Sequence, residues 1–268
     1  MENFKLYKIK CITNMHVGNG DSSYSIIDNQ VQRDVVTNFP TINSSSLKGS
    51  LRCFLENNED NEILQSDIEK IFGSENGIGL YKIFPAMLLS IPVRSNTRQF
   101  YRAICPRIIE DLINFIEAFN DKLKLKIYLE NILNEINKNN AEAYLFTSKE
   151  EKICVEGYEL SAKNISIDNK ERIEEIFGQD LVVIKDDKFK EIVEELPIIA
   201  RNQLENGESK NLWYEEIVPR ETRFYFGVME SELENQQLKR TFHKIQEKVV
   251  QIGGNATIGY GYCDIEEI

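Results

Sequence analysis

Short β-forming segments alternate with amphipathic helical segments along this chain, and their order limits the fold more than any other feature of the sequence. The segment "FKLYKIKCIT" predicts an opening strand, apolar residues at helical spacing predict a helix that begins near Ser45, and the apolar run "IFPAMLLSIPV" predicts a buried strand. Later, "RFYFGVME" predicts a strand, "ELENQQLKRTFHKIQEKVVQIG" a helix that ends at Gly253, and "ATIGYGYCDIEEI" a closing strand. This order predicts an α+β fold, with a ferredoxin-like core that has an antiparallel sheet and helices on one side.

The middle of the chain departs from this order. Residues 106–140 have apolar residues at helical spacing and a strongly charged opposite face, which predicts a helical insertion on the surface. Residues 142–165 and 181–184 predict short strands, and "DDKFKEIVEEL" predicts a helix. We interpret residues 1–268 as a single domain, although the length alone also permits two small ones.

The net charge of −12 is unevenly distributed. Residues 1–110 carry 12 basic and 12 acidic side chains, whereas residues 111–268 carry 20 basic and 32 acidic ones. Because phosphate contacts depend on local lysine and arginine, the acidic total does not exclude RNA as a partner. The five cysteines lie far apart and there are only two histidines, which argues for reduced thiols and against a zinc site. No apolar run has the length of a signal peptide or a membrane span, so we expect a cytoplasmic protein with no membrane partner.

The segment "PVRSNTRQFYRAICPR" has four arginines, two aromatic residues among them and no acidic residue. Guanidinium groups bind phosphates and aromatic rings stack on bases, so this composition favours single-stranded RNA, with Arg94 and Arg98 as candidate contacts. A solvated or acid-paired surface explains the same composition equally well.

The segment "SSSLKGSLR" has the features of an anion site. Ser46 and Lys48 lie at a predicted helix N-terminus and Arg52 lies one turn later, where N–H groups and the helix dipole favour a phosphate. The commoner alternative is a capping cluster with a solvated lysine.

The glycine-rich segment "GGNATIGYGYC" follows a predicted helix. Its candidate RNA contacts are Gly253, Gly254 and Gly259, because a backbone without Cβ atoms can approach a phosphate closely. The order of helix then strand excludes a dinucleotide-binding fingerprint, and a tight turn explains the glycines by itself.

The stretch "HVGNGDSSYSIIDNQVQRD", from His16 to Asp34, contains a histidine, three aspartates and an arginine, which is unusually reactive for a connecting loop. The chain has no Walker motif, nucleophile elbow or H-E-x-x-H motif, so nucleotide hydrolysis, esterase and zincin chemistry have no residues to support them.

A family resemblance emerges when several stretches are taken in order: "HVGNG", "DNQVQRD", "FPTINSSSLKGSLR", "LLSIPVRS", "LWYEEIVPRET" and "VQIGGNATIGYG". In this combination the chain resembles the RAMP superfamily of CRISPR proteins, and within it the repeating backbone subunit of the type III-B (Cmr) effector complex. The resemblance implies an RRM-like core, several copies of which stack along a CRISPR RNA together with other subunits of the complex. The guide would then read sequence by base pairing while the protein holds the backbone.

The resemblance also implies an activity. Each copy would cleave the guide-paired target RNA at a regular interval, with a divalent metal ion, Mg or Mn, as cofactor. A β-hairpin thumb, expected at about residues 197–223, would wedge into the duplex. We interpret the stretch after His16 as a mobile loop that brings Asp28, in "SIIDNQVQRD", to the target strand. Asp28 matches the loop aspartate required for cleavage in relatives, where a carboxylate can hold a metal or take the proton of a 2′-hydroxyl, and the sequence leaves both roles open.

Three more positions match the family pattern. His16 and Lys48 match positions near the RNA, and for His16 a structural or binding role is favoured over proton transfer. Glu215, in "WYEE", matches a position near the cleavage site, although an exposed thumb carboxylate is an equally simple explanation.

Other functions remain open at this point. The chain could be an RNA-binding scaffold of the same complex that does not cleave, or an unrelated cytosolic α+β enzyme with a small-molecule substrate. A nuclease that trims guide precursors is a further alternative, but His16 is the only histidine near the motifs and gives it little support.

Overall fold

The computed structural model describes residues 3–20, 27–58, 63–75, 77–119, 124–146, 150–167, 169–231 and 235–268. Within these residues, the helices are α1 Ser44–Glu56, α2 Gln65–Phe72, α3 Pro106–Phe119, α4 Leu125–Asn137, α5 Lys170–Phe177, α6 Asp186–Glu194 and α7 Gln236–His243. The strands are β1 Asn3–Cys11, β2 Thr41–Ile42, β3 Gly73–Ser74, β4 Gly77–Ile78, β5 Tyr81–Ile83, β6 Ala86–Arg94, β7 Phe100–Ile104, β8 Ala143–Leu145, β9 Lys152–Val155, β10 Tyr158–Asn164, β11 Leu181–Ile184, β12 Ile198–Glu205, β13 Glu208–Glu216, β14 Arg223–Glu230, β15 Val250–Gln251 and β16 Tyr262–Glu267. The predicted α+β class is confirmed.

The chain divides into two compact units, the first made of residues 1–87 and 196–268 and the second of residues 88–195. In the first unit, the strand order β15-β16-β1-β14 is antiparallel throughout, as predicted, and β5 pairs with β14. Aromatic residues fill the space between this sheet and helix α7. The Tyr7 and Phe226 rings stack at 5.2 Å, and Phe242 of α7 lies 4.9 Å from the ring of Tyr81. This packing gives the unit a single apolar core.

Helix α1 is buried along one face because its leucines recur every four residues. Leu47, Leu51 and Leu55 are all at most 1% exposed, whereas Gly49 is exposed on another face. The predicted start near Ser45 is confirmed.

The end predicted for the last helix, at Gly253, was wrong. The structure ends α7 at His243, follows it with a 3-10 turn, and then forms strand β15 from Val250. Val250 pairs with Cys263 of β16, so a β-branched residue joins the sheet instead of extending the helix. Pairing with a distant strand therefore overrides the helical periodicity of this segment.

The second unit has the strand order β6-β7-β11-β8-β10-β9. Strand β11 pairs with β7 in parallel, and β10 pairs with β8 in parallel, so the prediction of an antiparallel sheet was wrong for this unit. Helices α3, α4 and α5 lie between β7 and β11 in the chain and supply the long crossover connection that a parallel pair needs. Helix α5 was not predicted. No helix in the described part of the chain is long and apolar enough to cross a membrane.

Strands β12 and β13 of the first unit form a separate two-stranded hairpin within the region 197–223. Its turn residues, Asn206 and Gly207, both have positive φ, at 53° and 88°. Positive φ at both central positions is the mark of a type I′ turn, for which Asn-Gly is the preferred pair. The dipeptide was a signal for this hairpin in the sequence.

Candidate nucleic-acid interface

Asp28 is exposed and is held against the base of the hairpin. Its backbone N–H and that of Asn29 each donate to the Tyr214 carbonyl at 3.1 Å, and the Glu216 N–H donates to the Asn29 carbonyl at 2.9 Å. Asp28 Oδ2 accepts a hydrogen bond from the Tyr214 N–H at 2.8 Å. Oδ1 has no hydrogen-bond partner among the described residues. The segment that carries Asp28 is therefore fixed to β13, while residues 21–26 of the expected mobile loop lie outside the described residues.

His16 lies behind this segment and is 8% exposed. Its Nδ1 donates to the Glu216 carbonyl at 2.7 Å, because a carbonyl oxygen can only accept. In the neutral ring this leaves Nε2 as an acceptor, 3.8 Å from Glu215 Oε1. Such an enclosed ring fits the favoured structural or binding role.

Glu215 is 4% exposed, so the explanation of an exposed thumb carboxylate was wrong. Its Oε2 accepts a hydrogen bond from Arg201 Nε at 3.0 Å, and Asn255 Nδ2 lies 2.9 Å from both carboxylate oxygens. The Arg201 guanidinium in turn lies 4.6 Å from the centre of the Tyr260 ring. No local sequence pattern connects Arg201, Asn255 or Tyr260 to residue 215, so these three residues were not predicted.

The glycine-rich segment passes directly beside His16. The Gly254 N–H donates to the His16 carbonyl at 2.8 Å, and the Gly259 N–H donates to Ala256 at 3.0 Å. A Cβ on Gly253 would lie 2.4 Å from the His16 carbonyl oxygen. Both of these N–H groups are thus used inside the protein, and contact between RNA and Gly253, Gly254 or Gly259 stays a prediction.

Helix α1 borders two open clefts, and Gly49 lines both of them. One cleft, of about 820 Å³, also contains Ser46, Lys248 and Gly253. The other, of about 810 Å³, contains Lys48, Arg52 and Gly73. No atom lies within 4 Å of where a Gly49 Cβ would be, so the glycine widens the clefts and makes no close contact within the described residues.

The candidate anion-binding side chains on α1 differ in how they are bonded. Ser46 Oγ accepts a hydrogen bond from Gln32 at 2.9 Å. Arg52 is paired with Glu56 at 2.7 Å and donates to the Gly73 carbonyl at 3.0 Å. Among the described residues, Lys48 has no hydrogen-bond or ion-pair partner, so its charge is available to an anion in the second cleft.

Arg94 and Arg98 belong to the second unit and are already ion-paired. Two guanidinium nitrogens of Arg94 donate to Glu156 at 2.7 and 3.0 Å, and this hydrogen bond and charge raise the pKa of Arg94 above its ordinary value. Arg98 pairs with Asp180 and lies over the Tyr101 ring. The acids come from distant parts of the chain, which is why the arginine segment looked free of them. RNA binding by Arg94 and Arg98 stays a prediction.

No group of three or more histidine, cysteine, aspartate or glutamate side chains is arranged to hold a metal ion in the described part of the chain. Asp28 presents one carboxylate oxygen without a partner, and Mg²⁺ is commonly bound by one or two carboxylates together with substrate phosphates. The described residues therefore fit an ion that is shared with bound RNA, and they do not form a protein-built cage.

Comparison with known proteins gives consistent matches over nearly the whole chain. The family model of the RAMP superfamily matches residues 8–264. The CRISPR system Cmr endoribonuclease Cmr4 of Pyrococcus furiosus is 29% identical over 282 residues, which cover 95% of this chain and 92% of that protein. The crystal structure of oligomeric Cmr4 from the same organism matches with a TM-score of 0.76 at 26% identity, over 100% of this chain and 98% of that one. A type III-B Cmr-beta structure bound to cognate target RNA has the same fold, with a TM-score of 0.83 at 21% identity over 99% of this chain and 97% of that one.

Proposed function

This chain belongs to the RAMP superfamily, and we propose that it is a backbone subunit of a type III-B CRISPR effector ribonucleoprotein that cleaves guide-paired target RNA. Several copies would line up along one CRISPR RNA, each beside other subunits of the complex, in defence against foreign RNA. The similarity to a Cmr endoribonuclease and to an oligomeric relative supports the activity and the self-association. The observation that carries the proposal is the exposed Asp28, which β13 holds through one carboxylate oxygen while the other has no hydrogen-bond partner among the described residues.

Asp28 can act as a general base in this position. Its Oδ1 would accept the proton of a 2′-hydroxyl while Oδ2 stays bonded to the Tyr214 N–H. The 2′-oxygen would then attack the adjacent phosphorus, the bond to the 5′-oxygen would break, and water would protonate that oxygen. The products are a 2′,3′-cyclic phosphate and a 5′-hydroxyl. The fixed docking of residues 28 and 29 on β13 keeps the carboxylate in place for this step.

We also propose that the reaction requires a divalent ion. The ion would supply positive charge to the phosphate as negative charge develops there. As an alternative to the general-base role, Asp28 Oδ1 together with phosphate oxygens would hold this ion. A metal titration of the cleavage rate in the unaltered protein and in Asp28→Asn separates the two roles, because only loss of a metal ligand raises the metal concentration needed for half-maximal cleavage.

The direct test of the proposed function is target cleavage by the assembled complex. Guide RNA, end-labelled complementary RNA and the partner subunits are incubated with the protein, with Mg²⁺ or Mn²⁺ and with EDTA in parallel. We expect evenly spaced products that disappear with EDTA while the guide remains bound. Intact RNA in all reactions would contradict the activity, and cleavage that persists in EDTA would contradict the need for a metal ion only.

Lys48 provides a test of guide binding. Lys48→Ala removes a charge that has no partner among the described residues, so we expect guide affinity to fall about threefold to tenfold and the salt dependence of log K to weaken by about one unit. Fluorescence anisotropy at several salt concentrations measures both quantities. Lys152→Ala, which removes an exposed charge from β9 of the second unit, is the matched control. Equal losses in the two variants would argue that only net charge matters.

A further inference from the structure

The buried carboxylate of Glu215 joins two segments that are far apart in sequence. One is the hairpin, which contributes Glu215 from β13 and Arg201 from β12. The other is the glycine-rich segment, which contributes Asn255. We call Glu215, Arg201 and Asn255 the Glu215 cluster. Because a buried charge is costly unless it is hydrogen-bonded, both donors are needed to keep this carboxylate inside the protein.

Asn255 is suited to this contact by its backbone as well as by its side chain. Its φ is 62°, in the left-handed region that asparagine tolerates better than most residues. This conformation places Nδ2 2.9 Å from Glu215 Oε1 and Oε2. The N–H of the preceding residue, Gly254, donates to the His16 carbonyl at 2.8 Å. The Asn255 side chain therefore hydrogen-bonds the glycine-rich segment to the hairpin base, beside the contact between Arg201 and the Tyr260 ring.

The same part of β13 holds the segment with Asp28. Asn29 forms a parallel bridge with Glu215. The Tyr214 carbonyl accepts a hydrogen bond from the Asp28 N–H, and the Tyr214 N–H donates to the Asp28 carboxylate. Glu215 stands between these contacts in sequence, and its side chain is fixed by Arg201 and Asn255. A hairpin of only two strands is marginally stable in water by itself, so the base of the β12-β13 hairpin needs such anchoring.

We infer that Asn255 and Arg201 are positioning residues that fix the hairpin base through Glu215 and thereby hold Asp28 at the reactive site. The inference rests on the proposed function for its effect on cleavage. The effect on the position of the segment is independent of that function, because it follows from the hydrogen bonds alone. Asn255 and Arg201 act through Glu215 and β13 and need no contact with RNA.

The test replaces Asn255 with glycine, which keeps the left-handed backbone and removes only the side chain. Asn38→Gly is the matched control, since Asn38 has the same φ of 62° and its side chain makes no hydrogen bond to the Glu215 cluster among the described residues; its carbonyl, which accepts from Arg33, is retained in the variant. The whole protein is followed by hydrogen exchange, and the assembled complex by the cleavage rate and by guide affinity. For Asn255→Gly we expect about tenfold faster exchange at the amides of Asp28, Asn29 and Glu216 and about tenfold slower cleavage, with guide affinity within twofold. Asn38→Gly should leave the hydrogen exchange at these amides, the cleavage rate and the guide affinity unchanged.

Hydrogen exchange tests whether Asn255 positions the segment, and the cleavage rate tests whether that position matters for catalysis by Asp28. Unchanged exchange at these amides in Asn255→Gly would overturn the positioning role. Faster exchange with an unchanged cleavage rate would support the positioning of the segment and overturn the catalytic role of Asp28. If Asn255→Gly raises exchange throughout the chain, Arg201→Lys replaces it, because lysine keeps the charge but loses the planar group that lies over Tyr260. Local exchange should then increase at the same amides, and its absence would contradict the inference.

Discussion

Asp28→Ala should lower the rate of target cleavage by about 10² to 10⁴, the range expected for loss of a general base, while guide affinity changes by less than about twofold. The Asp28 side chain is exposed, and the one hydrogen bond that the structure gives it is the one from the Tyr214 N–H. Removing it takes away a carboxylate oxygen that has no hydrogen-bond partner among the described residues, and it disturbs no packed core. Single-turnover cleavage of labelled target by the assembled complex measures the cleavage rate, and guide titration measures the guide affinity.

Two further variants separate chemistry from position. Asp28→Asn retains an oxygen that can accept from the Tyr214 N–H but loses the charge and the basicity, so it should be as slow as Asp28→Ala. Asp264→Ala removes an exposed aspartate from β16 and should cleave at the unaltered rate. Normal cleavage by Asp28→Ala would support the alternative of an RNA-binding scaffold that does not cut.

Much of the secondary structure could be predicted because it depends on local periodicity. The leucines of α1 and the apolar run of β6 define their elements within a few residues. Two parts depend on long-range pairing and could not be predicted locally. Val250 leaves the expected helix because β16 is available beside it, and β11 pairs in parallel with β7 although 76 residues separate Ile104 from Leu181.

In the candidate site, too, local motifs were predictable and long-range contacts were not. Asp28 was found from its motif, and the structure places it on an exposed, fixed segment. The hydrogen-bond donors to Glu215 were not found, because Glu215 meets Arg201 and Asn255 only in the folded chain. Ion pairing of the arginine segment remained one of two alternatives for the same reason. The window around Arg94 contains no acid, and the partner, Glu156, comes from a different hairpin of the second unit. Exposure and pairing are properties of the folded chain, so composition alone left them undecided.

Gly253→Ala should destabilise the protein by about 3 kcal/mol or more, whereas Gly259→Ala should cost only about 1 kcal/mol. The two glycines have nearly the same φ, at 87° and 82°. They differ in the space around them. A Cβ on Gly253 would lie 2.4 Å from the His16 carbonyl oxygen and 2.9 Å from Val17 Cγ2, while nothing lies within 4 Å of a Cβ on Gly259. The strain of a left-handed backbone affects both variants, but steric overlap of the new Cβ with the backbone of His16 affects only Gly253→Ala.

Chemical denaturation of the two variants in parallel measures this difference, and thermal unfolding should show a fall in Tm of roughly 10 °C for Gly253→Ala. The matched φ values remove the left-handed strain from the comparison, so the excess cost reports how tightly the glycine-rich segment packs on His16. Equal destabilisation of the two variants would show that this packing is loose. Because His16 also donates to the Glu216 carbonyl, a loose contact would remove one of the supports of the hairpin base and, with it, part of the reason why Asp28 is held in place.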